Sequence, residues 1–201
     1  MRWLAPYNAC AVTSSSGERL ARVNSLDATM LLCMKMYTLM IRPDETYNLP
    51  VLSVDFIFLP FGKRVYVIEL IDPARIDDAN KQRYFVRMRE AHAAVAGLPA
   101  SGTRDWYRDF LADFSVHSRA TRADDAVLQA TYRAWLEAYL AMVPAAPEVP
   151  AETRRELRAG TERYVSTLLA EGGPAVDVFR RILGPEGQKE YVRSVMFGLD
   201  D

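Results

Sequence analysis

The sequence predicts an α+β fold in which an antiparallel sheet, drawn from the first part of the chain, is covered by helices drawn mostly from the rest. Three observations predict it. Runs rich in apolar and β-branched residues continue to Ile71, short turn signals divide them, and helical spacing takes over beyond Asp77. Connections this short make antiparallel pairing the default. With 201 residues the chain has the length of one ordinary domain, 1–201, able to bury a core.

In order, "GERLARVNSL", "MLLCMKMYTLMI", "LPVLSVDFIFLP" and "RVYVIELI" read as strands, separated at Asp27, "RPDETYN" and "FGK". From Asp77 to Gly97 the pattern is helical. Tyr84, Met88, Ala91 and Val95 recur at three or four, with Phe85 beside them, until "GLPASG" ends the run. "DFSVHSRAT" then reads as one more strand. Asp124 or Asp125 caps a helix with Leu128, Tyr132, Trp135, Leu136, Tyr139, Leu140 and Val143 in one stripe, ended by "PAAPEVP". A further helix from Ala151 turns Leu157, Tyr164, Val165, Leu168 and Leu169 inward and stops at Gly172 and Gly173. Pro174 opens a short helix, and "PEGQKEYVRSVMF" supplies the last.

Composition narrows the function classes. Half of the residues are hydrophobic, a quarter are charged and the formal net charge is -1, which excludes a disordered chain and gives no reason to expect nucleic acid. Two cysteines, Cys10 and Cys33, make neither a disulfide framework nor a paired metal-ligand spacing, which suits a reducing compartment. No apolar run reaches a membrane span of roughly 18 residues, and no leader pattern opens the chain. A cytoplasmic protein is the expectation.

One strand raises a question of chemistry. Alternation along "NLPVLSVDFIFLP" places Val51, Ser53, Asp55, Ile57 and Leu59 on one face, and Leu52, Val54, Phe56 and Phe58 on the other. The second face is plain core. The first mixes an acid and a hydroxyl among aliphatics, the composition of a pocket with a few polar handles. In the preceding strand Met30, Leu32, Met34, Met36, Thr38 and Met40 share a face; such a wall is either core filler or an adaptable lining for a large flat ligand. Asp55 is likewise either a structurally paired acid or a proton donor whose pKa burial has raised.

"YNLPVLSVDFIF" followed by "VYVIELIDP" resembles the central hairpin of the ferredoxin-dependent bilin reductases. Other pieces fall in the same order: "RLARVNSL" resembles the family's first basic strand, "FSVHSRATR" a later strand ending in Arg, "YRAWLEAYLAMV" a helix with repeated Tyr and Leu, and "RRILGPEGQKEYVRSVMF" the C-terminal pattern. The resemblance implies a three-layer α/β/α sandwich with a mostly antiparallel central sheet and C-terminal helices, holding biliverdin or a dihydrobiliverdin. It implies no metal and no bound cofactor; electrons come singly from reduced ferredoxin and protons from the pocket, with radical intermediates. Asp55 falls on the family's proton-donating Asp, and Arg122 on a basic position that holds a propionate.

The chain departs from the family where Met36 stands for a His or Asn, Asn24 for a Glu, and Gly173 for an Asp, with Glu171 close enough in sequence to compensate. It also begins at what would be the family's first strand. Beside Asp55 the substrate-binding candidates are therefore Asn24, Met34, Met36, Thr38, Ser53, His117, Arg122 and Glu171. An acidic ferredoxin needs a basic landing area, for which Lys63, Arg64, Lys81, Arg83, Arg87 and Arg89 are candidates. Two other functions stay open: a non-catalytic tetrapyrrole carrier of the same fold, and a reductase of another conjugated molecule. His92 and His117 lack metal-site spacing, although His117 could line the pocket. Trp106, Trp135 and Tyr139 are further pocket or core candidates.

Overall fold

The computed structural model describes residues 2–5, 8–30 and 33–199, leaving aside the side chains at 2–5, 8–10, 30, 174, 175, 178, 181 and 182. Among these residues seven strands form one sheet in chain order: β1 (Arg2–Ala5), β2 (Asn8–Gly17), β3 (Leu20–Met30), β4 (Met34–Pro43), β5 (Val51–Phe58), β6 (Lys63–Ile71) and β7 (Val116–Thr121). Every neighbouring pair is antiparallel. The strand-first, helix-later reading holds.

Its beginning needs correction. Two strands precede the segment that the sequence marks as the first, and β2 escapes notice because "VTSSSG" is polar on both faces and mostly exposed. No turn occurs at Asp27, which lies within β3 opposite Tyr37. Its side chain is exposed, so a carboxylate there loses no hydration and does not stop the strand. The β3–β4 turn falls around Cys33 instead, dividing the run expected as one strand. Leu32 of the expected stripe lies outside the described residues, as do the side chains of Met30 and Cys10.

The helices are α1 (Ala79–Ala93), α2 (Asp125–Ala145), α3 (Ala151–Glu171) and α4 (Pro174–Glu190), the last running into a π-helical segment, Tyr191–Phe197. Asp78 caps α1 by accepting from the Lys81 backbone N–H at 2.8 Å. A capping box between Thr121 and Asp124 turns the chain from β7 towards α2. Gly184, at φ 74°, breaks α4 into the short and final helices that the sequence suggests. Leu140 departs from its expected stripe and is exposed; Met142 is buried instead, one helical turn beyond Ala138 and Tyr139.

One face of the sheet meets α1 and α2. Val54, Tyr66 and Ile68 pack there against Met88, Trp135 and Tyr139. The large aromatics are buried without orphaned polar atoms: Trp135 Nε1 donates to the Met88 carbonyl at 3.1 Å, and the Tyr139 hydroxyl to the Pro50 carbonyl at 2.8 Å. On the opposite face Met40, Val51 and Ile71 meet Tyr164 and Val165 of α3 and Phe197 of the π-helical segment. These layers make the expected three-layer sandwich. No helix among the described residues is long and apolar enough to cross a membrane.

Candidate functional site

Between the sheet and the C-terminal helices the packing opens into a cavity of about 420 Å³. Its floor follows from strand register. Leu26, Thr38, Asp55, Val67 and His117 form one cross-strand row from β3 to β7, and Asn24, Met40, Ser53 and Glu69 form the row beside it. A third row runs from Ala28 through Met36, Ile57 and Val65 to Arg119. Period-two alternation gives all three rows the same face. Tyr164, Leu168, Phe179, Tyr191 and Met196 close the cavity from the helical side. The lining is mainly apolar and aromatic with a few acids, a composition suited to a flat conjugated ligand.

Asp55 sits at the centre of this floor. Burial pushes its pKa up to about 6; the Thr38 hydroxyl, which donates to Asp55 Oδ1, opposes the rise, the negative charge of Glu69 adds to it, and His117 counters it. The carboxyl therefore keeps its proton at mildly acidic pH and releases it near neutrality.

Glu69 is a second acid of the floor and is only 3% exposed. Its Oε1 accepts from the Tyr107 hydroxyl at 3.1 Å, while Oε2 lies 3.1 Å from His117 Nε2. That second approach is not aligned as a hydrogen bond and leaves both atoms without another partner. Tyr107 and Tyr164 join hydroxyls at 2.8 Å; because an ionised Glu69 only accepts, Tyr107 donates to it and Tyr164 donates to Tyr107. Burial, with Glu69 nearby, holds both phenols above their ordinary pKa.

Seven residues named from sequence line this cavity: Asp55, Asn24, Met34, Met36, Thr38, Ser53 and His117. Asn24 does more than line it. Its amide donates to the Met196 carbonyl at 3.1 Å, tying β3 to the π-helical segment. Two candidates lie apart. Arg122 is exposed on the turn after β7, where the chain has left the strand and its alternation, and Arg119 occupies the cavity-facing position instead. The Glu171 side chain is exposed at the end of α3; only its carbonyl takes part, accepting from Arg104, which also binds Asp177 at 2.8 Å. Gly172 follows at φ 73°, where a Cβ would lie 2.5 Å from Asp177 Oδ1, so this close approach needs glycine.

Lys81 also leaves its expected place. It is buried, with Nζ 2.7 Å from Asp72 Oδ2, and offers no landing charge. Arg87 pairs with Glu137, and Arg89 lies over the Phe114 ring. Trp135 and Tyr139 belong to the opposite layer, whereas Trp106 packs against Tyr107 behind the cavity. Sequence reading missed Glu69, Tyr107, Tyr164, Arg104 and Arg119. Glu69 carries the same signal as Asp55, an acid within an apolar strand. Tyr107 arrives on a short 3-10 turn, Asp105–Asp109, with no local pattern to reveal it; the stripe of α3 turns Tyr164 inward but carries no sign that its hydroxyl meets Tyr107. Among the described residues no group of three His, Cys, Asp or Glu side chains is placed to hold a metal ion.

Comparison with known proteins agrees with this architecture. Residues 10–198 match the family described as ferredoxin-dependent bilin reductase. The chain is 28% identical over 169 residues to a phycoerythrobilin:ferredoxin oxidoreductase of Synechococcus sp. (strain RCC307), covering 80% of this chain and 63% of that protein. A protein of the same description from Gloeobacter violaceus is 29% identical over 182 residues, covering 83% and 69%. The crystal structure of phytochromobilin synthase from tomato, in complex with biliverdin, superposes with a TM-score of 0.82 at 16% identity, covering 98% of this chain and 73% of that one. The last likeness is one of fold.

Proposed function

The chain belongs to the ferredoxin-dependent bilin reductases, and from that premise we propose that it reduces biliverdin or a dihydrobiliverdin with single electrons from reduced ferredoxin. Asp55 is the proton donor. The observation that carries this reading is an acid with a pKa raised to about 6, set in the floor of a cavity lined mainly by methionines, aliphatics and aromatics. Such an acid is partly protonated near neutral pH, where general acid catalysis is most effective. Each single electron adds a negative charge to the substrate, the first giving a radical anion, and protonated Asp55 neutralises that charge by giving up its proton. Water or the neighbouring Ser53 then restores that proton. Arg119, which has no ion-pair partner among the described residues, is the group offered to a substrate carboxylate.

For the electron donor, the end of the sheet that carries Lys35, Lys63, Arg119 and Arg122 is the favoured landing area. Register brings these residues to the same end, with Lys35 opposite Phe58, Lys63 opposite Thr121 and Arg119 opposite Val65. Fully exposed Phe61 at the β5–β6 turn adds an apolar contact. On this reading the protein works in the cytoplasm, where ferredoxin is kept reduced.

The test is anaerobic. Protein, biliverdin, ferredoxin, a ferredoxin reductase and NADPH are mixed and absorbance spectra are followed through time; replacement of the biliverdin band by new bilin bands is the expected result, and Asp55→Asn abolishes it. Undiminished turnover by that variant removes Asp55 from the reaction. Met36 and Asn24 offer no acid where the resemblance leads one to expect other groups, which favours a carrier as the second reading. A red-shifted complex that never turns over decides for the carrier.

A further inference from the structure

Saturating one double bond consumes two protons, and Asp55 carries one. We propose that His117, positioned by Glu69, is the second proton donor of the cavity. This rests on the reductase reading. Val67 pairs with Asp55 on one side and with His117 on the other, so the two groups flank it on the same face of the sheet. They stand two strand spacings apart, roughly 10 Å. An extended tetrapyrrole lying across Val67 would meet both, at different carbons.

Glu69 lies between them, one alternation further along β6; its Oε1 accepts from Tyr107, and its Oε2 is left for another group. β6 is paired through its backbone on both sides, and burying a carboxylate at this position is costly unless it is matched by charge. The group that faces it is His117. Glu69 Oε2 faces Nε2 at 3.1 Å, and the other ring nitrogen, Nδ1, has no hydrogen-bond partner among the described residues. Glu69 thus fixes the ring at Nε2, and Nδ1 is left as the nitrogen that can give a proton to a ligand in the cavity. The other charged and titratable groups around the pair are Asp55 on β5, Tyr107 and Tyr164 behind Glu69, Arg119 two residues along β7, and Arg104 at the cavity wall.

The step balances as follows. Two molecules of reduced ferredoxin, a one-electron iron–sulfur protein, are oxidised and supply two electrons. The carbon at one end of a conjugated path takes the Asp55 proton and the carbon at the other end takes the Nδ1 proton of His117, the double bonds between them shifting by one place, which leaves a carboxylate and a neutral imidazole whose Nε2–H still faces Glu69. Water reprotonates both.

The experiment is an anaerobic single turnover of biliverdin with reduced ferredoxin, followed by absorbance and electron paramagnetic resonance across pH, on wild type, His117→Gln and Glu69→Gln. His117→Gln is expected to bind biliverdin and take up the first electron, to accumulate the organic radical, and to form reduced bilin at least ~100-fold more slowly, the loss typical of a missing general acid. Glu69→Gln, which keeps an acceptor for Tyr107 but releases His117, is expected to lower the maximal rate of the profile and to accumulate the same radical, whereas an effect of the lost charge on Asp55 alone displaces the profile without lowering its maximum. Glu69→Gln also carries the test if His117→Gln does not fold. A His117→Gln protein with wild-type rate and product, or a Glu69→Gln protein with the wild-type maximal rate, overturns this inference alone. Wild type that binds biliverdin without reducing it overturns the reductase reading and this inference with it.

Discussion

Thr38 and Asp55 stand directly opposite each other on β4 and β5, and the threonine hydroxyl donates to the carboxylate. The bond favours the charged form of Asp55, yet burial dominates and the pKa rises to about 6. The consequence for stability has a definite sign. Between the ordinary carboxylate range and pH 6 the native state holds a proton that the unfolded chain has lost, so stability falls as pH rises through that window and levels off above it. Asp55→Asn removes the effect. Its expected outcome is a gain of about 2 kcal/mol over wild type in urea unfolding at pH 8 and no gain at pH 4. A uniform change at both pH values would mean that Asp55 is not titrating as its surroundings dictate.

The same pair predicts a kinetic shift. Thr38→Val deletes the donor that holds the Asp55 pKa down while keeping the size of the side chain. Asp55 then keeps its proton to higher pH, and the alkaline limb of the bilin reduction profile moves upward by about half a unit to one unit, the size of shift that loss of a modest hydrogen bond produces. A rate–pH profile of the variant beside wild type checks it; movement to lower pH would reverse the assignment of Asp55 as the acid.

Arg119 and Arg122 separate strand register from sequence resemblance. Both are exposed, but Arg119 stands at the edge of the cavity and lines it, whereas Arg122 lies on the turn that follows and does not. A guanidinium bonded to a substrate carboxylate contributes about 1.5–3 kcal/mol. Arg119→Gln is therefore expected to weaken biliverdin binding roughly 10-fold or more in a spectrophotometric titration, with Arg122→Gln within about 2-fold of wild type. Equal losses would show that the ligand extends past the end of β7.

Much of this site was legible because alternation in a strand is a local property. The acid-bearing face of β5 and the methionine face of β4 follow from position alone, and register then sets Thr38 beside Asp55. Helix spans were legible for a related reason, since the apolar stripe of α2 records the one face it buries, with only Leu140 misplaced. What stayed hidden depends on contacts distant in sequence. Tyr107 meets Glu69 across 38 residues and Tyr164 across 57. Arg122 was chosen by likeness to a motif, which does not count residues along a strand; alternation from His117 leads to Arg119. β2 was missed because polar residues on both faces leave no periodicity to read.

Lys81 gives the last prediction, on an ion pair away from the cavity. Its ammonium is sealed, 1% exposed, and bound both to Asp72 Oδ2 and to the Ile76 carbonyl at 2.7 Å, whereas Asp72 is 17% exposed. The two partners are thus unequal. Asp72→Ala leaves a buried ammonium without a counter-charge and is expected to cost about 3–5 kcal/mol. Lys81→Met keeps the apolar stem in place, and the groups it abandons are provided for: Asp72 reaches water, and the Ile76 carbonyl still accepts from Asn48 Nδ2 at 2.9 Å. Its cost is expected to stay below about 1.5 kcal/mol, because an apolar replacement of similar volume also removes the desolvation of a charge. Urea unfolding of both variants at pH 7 measures the difference. Equal losses would mean that the Lys81 charge itself stabilises this corner of the fold, rather than depending on Asp72 to be tolerated there.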